Sequence, residues 1–335
     1  MKDYFLDGIH GLRALAAIVV VIFHAGGILG SEKYQGLTWL PQITGSLDTG
    51  VDLFFVISGF VISFPFFLGR IQPLNSYLAN RLIRIYPMAM ITAFIYLIFN
   101  WIFFDREPEI DSVLSSFLLI PSSTDPIPIV LWTLKQELLF YFIFSLAFIR
   151  PYIGIFVVLS WSIASPLVPS SGSALLSWLF HPNNIQFSFG IAAAYLFVYH
   201  KISPTKSLLV AFSGLIAFFI CGVVYQGNTT NYTLETTLLG LFGSLVAYGI
   251  ACSGLQLPRA IIFLGTASYS IYLIHFFFLS AFNKVMIRIA PDLSGTISII
   301  FLVVSAVIAG CVYYIIFERP IETLRKNRRT RTKLA

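Results

Sequence analysis

Charge is scarce in this chain: Asp, Glu, Lys and Arg together make up 11% of its 335 residues. Soluble domains carry about 25%. A chain that is 57% hydrophobic, with mean hydropathy +0.85, has too few polar groups to cover a surface facing water. Cysteine is scarce as well. Cys221, Cys252 and Cys311 are scattered through apolar runs, too few and too far apart for a disulfide framework or a zinc site. No metal is expected. Nor is a cleavable signal peptide, because the first apolar run carries Arg13 and His24 and has no small-residue cleavage signature. No internal repeat is visible, and nothing points to a second, soluble domain.

What the chain has in quantity is apolar sequence in pieces of crossing length. About 20 apolar residues span a bilayer as a helix, and ten such spans fall near 10–29, 50–69, 85–104, 131–149, 151–168, 184–200, 207–225, 234–252, 260–280 and 294–317. The expected class is an all-α polytopic membrane protein with about ten transmembrane helices. If the N-terminus is cytoplasmic, fifteen Lys and Arg residues fall on inside segments and only Lys33, Arg106, Lys284 and Arg288 outside, with Arg13 and Lys135 within spans. That bias puts both termini in the cytoplasm. Two short apolar stretches, Val113–Ile120 and Ala174–Phe180, are less than half a crossing and read as interfacial or re-entrant pieces of the outer surface. Residues 1–320 then form one membrane domain, and 321–335 a basic cytoplasmic tail. Because the tail follows a span directly, its cluster Arg325-Lys-Asn-Arg-Arg-Thr-Arg-Thr-Lys333 suits anionic membrane lipid rather than nucleic acid.

The chemistry lies inside the spans. Arg13 and His24 are eleven residues apart in the first of them. At about 100° per residue this makes three turns plus roughly 20°, so both share one face, roughly 16 Å apart along the axis. Ionisable groups in lipid cost several kcal/mol unless they face a cavity or a partner. Asp52 opens the second span at a depth similar to His24, and Glu137 lies about six residues inside the fourth. Arg81 and Arg84 stand one turn apart at the cytoplasmic entrance to the third, and Ser268, Tyr272 and His275 form a stripe on the ninth.

Several stretches, in order, resemble the membrane acyltransferase 3 family, the O-acyltransferases of cell-surface glycans and lipids, in its stand-alone form. They are Gly11-Leu-Arg-Ala-Leu-Ala-Ala-Ile-Val-Val-Val-Ile-Phe-His24; Gly50-Val-Asp-Leu-Phe-Phe-Val-Ile-Ser-Gly-Phe60; Arg81-Leu-Ile-Arg84-Ile-Tyr-Pro87; and Trp132-Thr-Leu-Lys-Gln-Glu-Leu-Leu-Phe-Tyr141. Ser268-Tyr-Ser-Ile-Tyr-Leu-Ile-His275 and Glu318-Arg-Pro320 agree in order and position, so the likeness extends over nearly the whole chain. One departure is His10, where many relatives carry Asp. It leaves open how Arg13 is paired.

The resemblance implies an acyl-coenzyme A donor, acetyl first among the acyl groups, a glycan or lipid-linked sugar as acceptor, and a bacterial inner membrane. On that footing His24, with an ordinary pKa of about 6.5, is the candidate general base toward the acceptor hydroxyl. More plainly, it is a packing histidine bonded to a backbone carbonyl. Asp52 would orient the imidazole, or serve only as a helix N-terminal charge. Glu137 would support His24 or bind acceptor hydroxyls, or form an ion pair with Arg13 or Lys135. Arg81 and Arg84 offer two guanidinium forks for the donor's phosphates, with Arg13 on the donor's path. As ordinary topology anchors all three would be unremarkable. Tyr272 and His275 would line the substrate cavity, His275 being the second candidate base, unless the stripe only packs helices. Ser58 and Gly59 read as small residues for close packing, and Lys135 as able to snorkel. A transporter of protons or small organic ions, and a non-enzymatic assembly protein for envelope glycans, remain the alternatives.

Overall fold

The computed structural model describes residues 4–104, 108–169, 172–226, 231–290 and 293–325, and among these every regular element is helical. Helix α1 (Tyr4–Gly30) carries the first expected span and, after the short α2 (Trp39–Thr44), α3 (Gly50–Phe67) carries the second. Next come α4 (Leu74–Phe104), the short α5 (Ile110–Leu118), α6 (Trp132–Phe144), α7 (Pro151–Ala164) and the short α8 (Ala174–Leu179). Then follow α9 (Ile185–Tyr199), α10 (Pro204–Tyr225), α11 (Tyr232–Ser253), α12 (Arg259–Ile289) and α13 (Gly295–Tyr313). The tail beyond residue 325 and part of the acidic loop expected at 105–111 lie outside the described residues.

The protein is an all-α polytopic membrane protein, and eight helical stretches among the described residues are long and apolar enough to cross a bilayer. The other two expected crossings, 151–168 and 184–200, are α7 and α9, of 14 and 15 residues. At 1.5 Å per residue they cover about 21–23 Å of a hydrocarbon core about 30 Å thick. A 3-10 turn over Ser165–Leu167 extends α7, and the turn Pro182–Asn184 leads into α9 with Asn183 and Asn184 buried. Helix α4 starts well before the span expected at 85, so Arg81 and Arg84 stand on the helix itself. Large apolar side chains such as Phe94, Trp101, Phe156, Ile220 and Ile300 face outward, as lipid contact allows.

Because lipid supplies no hydrophobic drive between helices, close packing depends on small residues. Helix α1 packs on α3, α12 and α13, and a Cβ at Gly265 of α12 would strike the backbone of His10. Helices α3 and α9 meet at Gly59 and Gly190, each facing the other's backbone. The expected packing role of Gly59 is therefore met at a backbone contact with Phe187. Gly190→Ala should lower the yield of folded protein and its thermal midpoint in detergent, because the added carbon meets Val56 O and Phe60 N, neither of which can rotate away. Gly27→Ala, where nothing lies within 4 Å, is the matched control. Equal midpoints for the two variants would refute the close-contact account.

The two short outer stretches dock on α6 at one residue. Lys135 donates to Ser115 Oγ of α5, and Trp178 Nε1 of α8 donates to the Lys135 carbonyl at 3.2 Å. Lys135 is 6% exposed. It does not snorkel, because α5 covers it and supplies the oxygen that its ammonium needs.

Candidate active site

Two chambers lie in sequence along the bundle. The first, about 60 Å³, is lined by α1, α3, α4, α6 and α12 and holds Arg13, Arg81, Arg84, Ser58, Glu137 and Tyr141. The close approach of α1 to α12 at Gly265 lets Arg13 Nε donate to Ser268 Oγ at 3.2 Å. That bond answers how Arg13 is held without an acid at position 10. The Arg81 guanidinium lies over the rings of Tyr77 and Tyr141, at 5.5 and 5.3 Å, and its Nε is buried without a hydrogen-bond partner. Glu137 is the carboxylate lining this chamber among the described residues, and its Oε1 accepts from Ser58 Oγ at 3.1 Å and from the Tyr141 hydroxyl. Three guanidinium groups against one carboxylate leave the chamber electropositive, the condition for taking an anion.

Glu318 backs this chamber. It sits on a π-helical turn, Tyr314–Glu318, is 8% exposed, and accepts from Ser270 Oγ at 2.6 Å. Its charge acts on both Arg13 and Arg84. Such single π-turns are frequent at functional sites.

The second chamber is larger, about 390 Å³, and holds His24, Asp48, Asp52, Trp132, Asn183, Tyr232, Glu235 and Thr236. His24 Nδ1 lies 3.0 Å from the Val20 carbonyl, and His275 Nδ1 likewise contacts the Tyr272 carbonyl. A carbonyl oxygen can only accept, so each neutral imidazole carries its proton on Nδ1. His275 Nε2 is then an acceptor facing His24 Nδ1 at 3.3 Å, and His24 Nε2 keeps a free lone pair. The carbonyl contact that makes His24 look like a packing histidine is the contact that frees its other nitrogen.

Asp52 shares the chamber with His24 but is held from elsewhere. Its Oδ1 accepts from Asn183 Nδ2 at 3.0 Å and from Gln186 Nε2, which also donates to the Thr236 carbonyl at 3.1 Å. The Tyr232 hydroxyl in turn donates to Asn183 Oδ1. At the edge, the His181 ring packs 5.2 Å from Trp132, and burial pushes its pKa down to about 4, so it adds no cation.

The chambers meet at Val51 and Tyr272, which line both. The Tyr272 hydroxyl accepts from Thr133 Oγ1 at 3.1 Å and donates to the Val130 carbonyl at 3.2 Å.

Arg13, Arg81 and Arg84, expected as one group, are brought together, and so are His24 and His275. Glu137 falls in the arginine chamber rather than beside His24, so its contacts do not support the imidazole. Ser58 faces that chamber instead of packing against a helix. The sequence gave no reason to single out Glu318, Tyr141, Asn183, Gln186, Tyr232 or Glu235. A signal existed for some: Glu318 belongs to the terminal Glu-Arg-Pro stretch, and Asn183, Asn184 and Gln186 crowd the start of an apolar run.

Polar groups held at this depth by matched hydrogen bonds, between an electropositive chamber and an imidazole pair, define a membrane-embedded enzyme. The chain belongs to the acyltransferase 3 family, whose acyltransferase-domain model matches residues 6–316. It is an acyltransferase, and the family motifs run through both chambers. The chain is 28% identical over 305 residues to the exopolysaccharide production protein ExoZ of Rhizobium meliloti (strain 1021), a match covering 85% of this chain and 93% of that protein. No solved structure matches it.

Proposed function

We propose that the protein transfers an acyl group, acetyl first, from cytoplasmic acyl-coenzyme A to a hydroxyl of an exported polysaccharide sugar, with His24 as general base. The observation that carries this is the junction of the chambers: an electropositive one ends at Val51 and Tyr272 where one bearing a free imidazole nitrogen begins. Phosphates of the donor would sit on Arg81, Arg84 and Arg13, with the thioester reaching toward the junction. A sugar ring would enter the second chamber against the Trp132 face, its hydroxyls meeting Asp48, Asn183, Glu235 and Thr236. His24 Nε2 takes the proton as the hydroxyl oxygen attacks the thioester carbonyl. The C–O ester bond forms, the C–S bond breaks, and the departing thiolate recovers the proton. ExoZ, by its printed name a protein of exopolysaccharide production, supports a polysaccharide acceptor.

Charge bias puts the arginine chamber on the cytoplasmic side, so donor and acceptor should approach from opposite faces. In sealed vesicles with the cytoplasmic face outward, added labelled acetyl-coenzyme A should label a luminal glycan acceptor without being transported intact. Cysteine reagents should reach Lys33→Cys only from the lumen and Lys326→Cys only from the cytoplasmic face. Equal modification of an acceptor confined to the cytoplasmic face, or labelling of position 33 from that face, would place the whole reaction on one leaflet.

A further inference from the structure

The partition between the chambers is a small apolar cluster of its own. Val20 of α1, Val130 before α6 and Tyr272 of α12 are buried at 1%, 2% and 6% exposure, and Val51 and Phe54 of α3 pack against them. Val20 and Val130 line the histidine chamber, Phe54 the arginine chamber, and Val51 and Tyr272 both. The side chains come from four separate segments, so they form a ring around the junction rather than one wall. It is also held in place. The Phe54 and Tyr272 rings meet edge to face at 5.8 Å, and the Tyr272 hydroxyl is tied on both sides, to Thr133 and to the Val130 carbonyl.

We propose that this ring selects the acyl group: it admits a short, uncharged acyl chain and rejects longer or carboxylate-bearing ones. The proposal rests on the transfer reaction above, in which the acyl carbon must reach the side where His24 stands. Two physical arguments set the selection. The space is narrow on the donor side, about 60 Å³ against about 390 Å³ beyond the ring. An anchored ring cannot widen cheaply for added methylenes, because close-packed side chains resist expansion. The ring is also apolar, so a terminal carboxylate such as that of a succinyl group would lose its hydration with no side-chain donor among the five residues to replace it. The ring thus serves acetyl transfer and excludes succinyl transfer. It is joined to the base as well, since the carbonyl of Tyr272 itself holds His275 in the tautomer that faces His24.

The test is a chain-length and charge profile: acetyl-, propionyl-, butyryl- and succinyl-coenzyme A offered to membranes holding the unsubstituted protein, with transfer to the glycan acceptor measured for each. Pockets discriminate by about 10–200-fold per methylene, so butyryl transfer should fall at least 10-fold below acetyl, and succinyl transfer should be at background. Val51→Ala and, from the other side of the ring, Val20→Ala should each raise the butyryl-to-acetyl ratio about 10-fold or more while leaving succinyl excluded. Val61→Ala, which enlarges the arginine chamber away from the ring, should leave the ratio where it was. A flat profile in an active unsubstituted protein, or an equal shift from Val61→Ala, overturns the filter and leaves the transfer reaction standing. No transfer from any of the four thioesters overturns both.

Discussion

Replacing His24 by Ala should lower acyl transfer by about 10²–10⁴ while the protein still inserts and accumulates at normal levels. The range is that of a general base, and the structure gives a reason to expect the loss in turnover rather than in folding. His24 is half-buried at a chamber wall. Its packing contacts are ring edges, to Phe23 at 4.8 Å and Phe276 at 5.5 Å, which removal of the imidazole relaxes without stranding a buried charge. Its Nδ1 bond goes to a carbonyl of its own helix, Val20, so no interhelical strut is lost there. Acylation measured with labelled donor, beside immunoblot levels of membrane protein, separates the two effects. If the variant keeps substantial activity, the base is His275, whose Nε2 is 3.3 Å from the ring that was removed.

Arg81→Ala and Arg84→Ala should each raise the apparent KM for acyl-coenzyme A by about 10–100-fold and change acceptor dependence little. A charge-assisted hydrogen bond is worth about 1.5–3 kcal/mol, and 1.36 kcal/mol is a factor of ten. The buried Nε of Arg81 has no protein partner, and the guanidinium is supported by two tyrosine rings that hold its plane without neutralising it. Lys at either position should restore part of the affinity, because an ammonium keeps the charge and loses the fork. Were the donor KM to stay unchanged while topology reporters invert, the pair would be membrane anchors only.

The all-helical class was legible because hydropathy acts locally: a run of about 20 apolar residues must form a helix in lipid, whatever its neighbours. The eight long crossings follow from that rule alone. The two short ones, α7 and α9, are where a count by length meets tertiary packing. Buried amides from the turn before α9 reach into the second chamber and replace part of a crossing. Positions along one helix were equally legible, since 1.5 Å and 100° per residue place Arg13 and His24 on a common face with no knowledge of the fold.

Contacts between helices were not. Spacing placed Asp52 near the depth of His24, but depth does not set azimuth, and Asp52 turns to Asn183 and Gln186 while His275, 251 residues away in sequence, meets the imidazole. Glu137 was read as supporting His24 for the same reason, and α6 instead turns it to Ser58 and Tyr141 in the arginine chamber. The sequence by itself determined that this chain lies in a membrane as helices, which ionisable groups it carries there, and the family to which their spacing belongs. Only the tertiary structure decided which of those groups share a chamber and that an apolar ring at Val51 and Tyr272 stands between the two. Helix rotation and partner choice are set by small-residue contacts such as Gly59 with Gly190 and Gly265 with His10, and these depend on the complementarity of two surfaces, which one helix's own sequence does not contain.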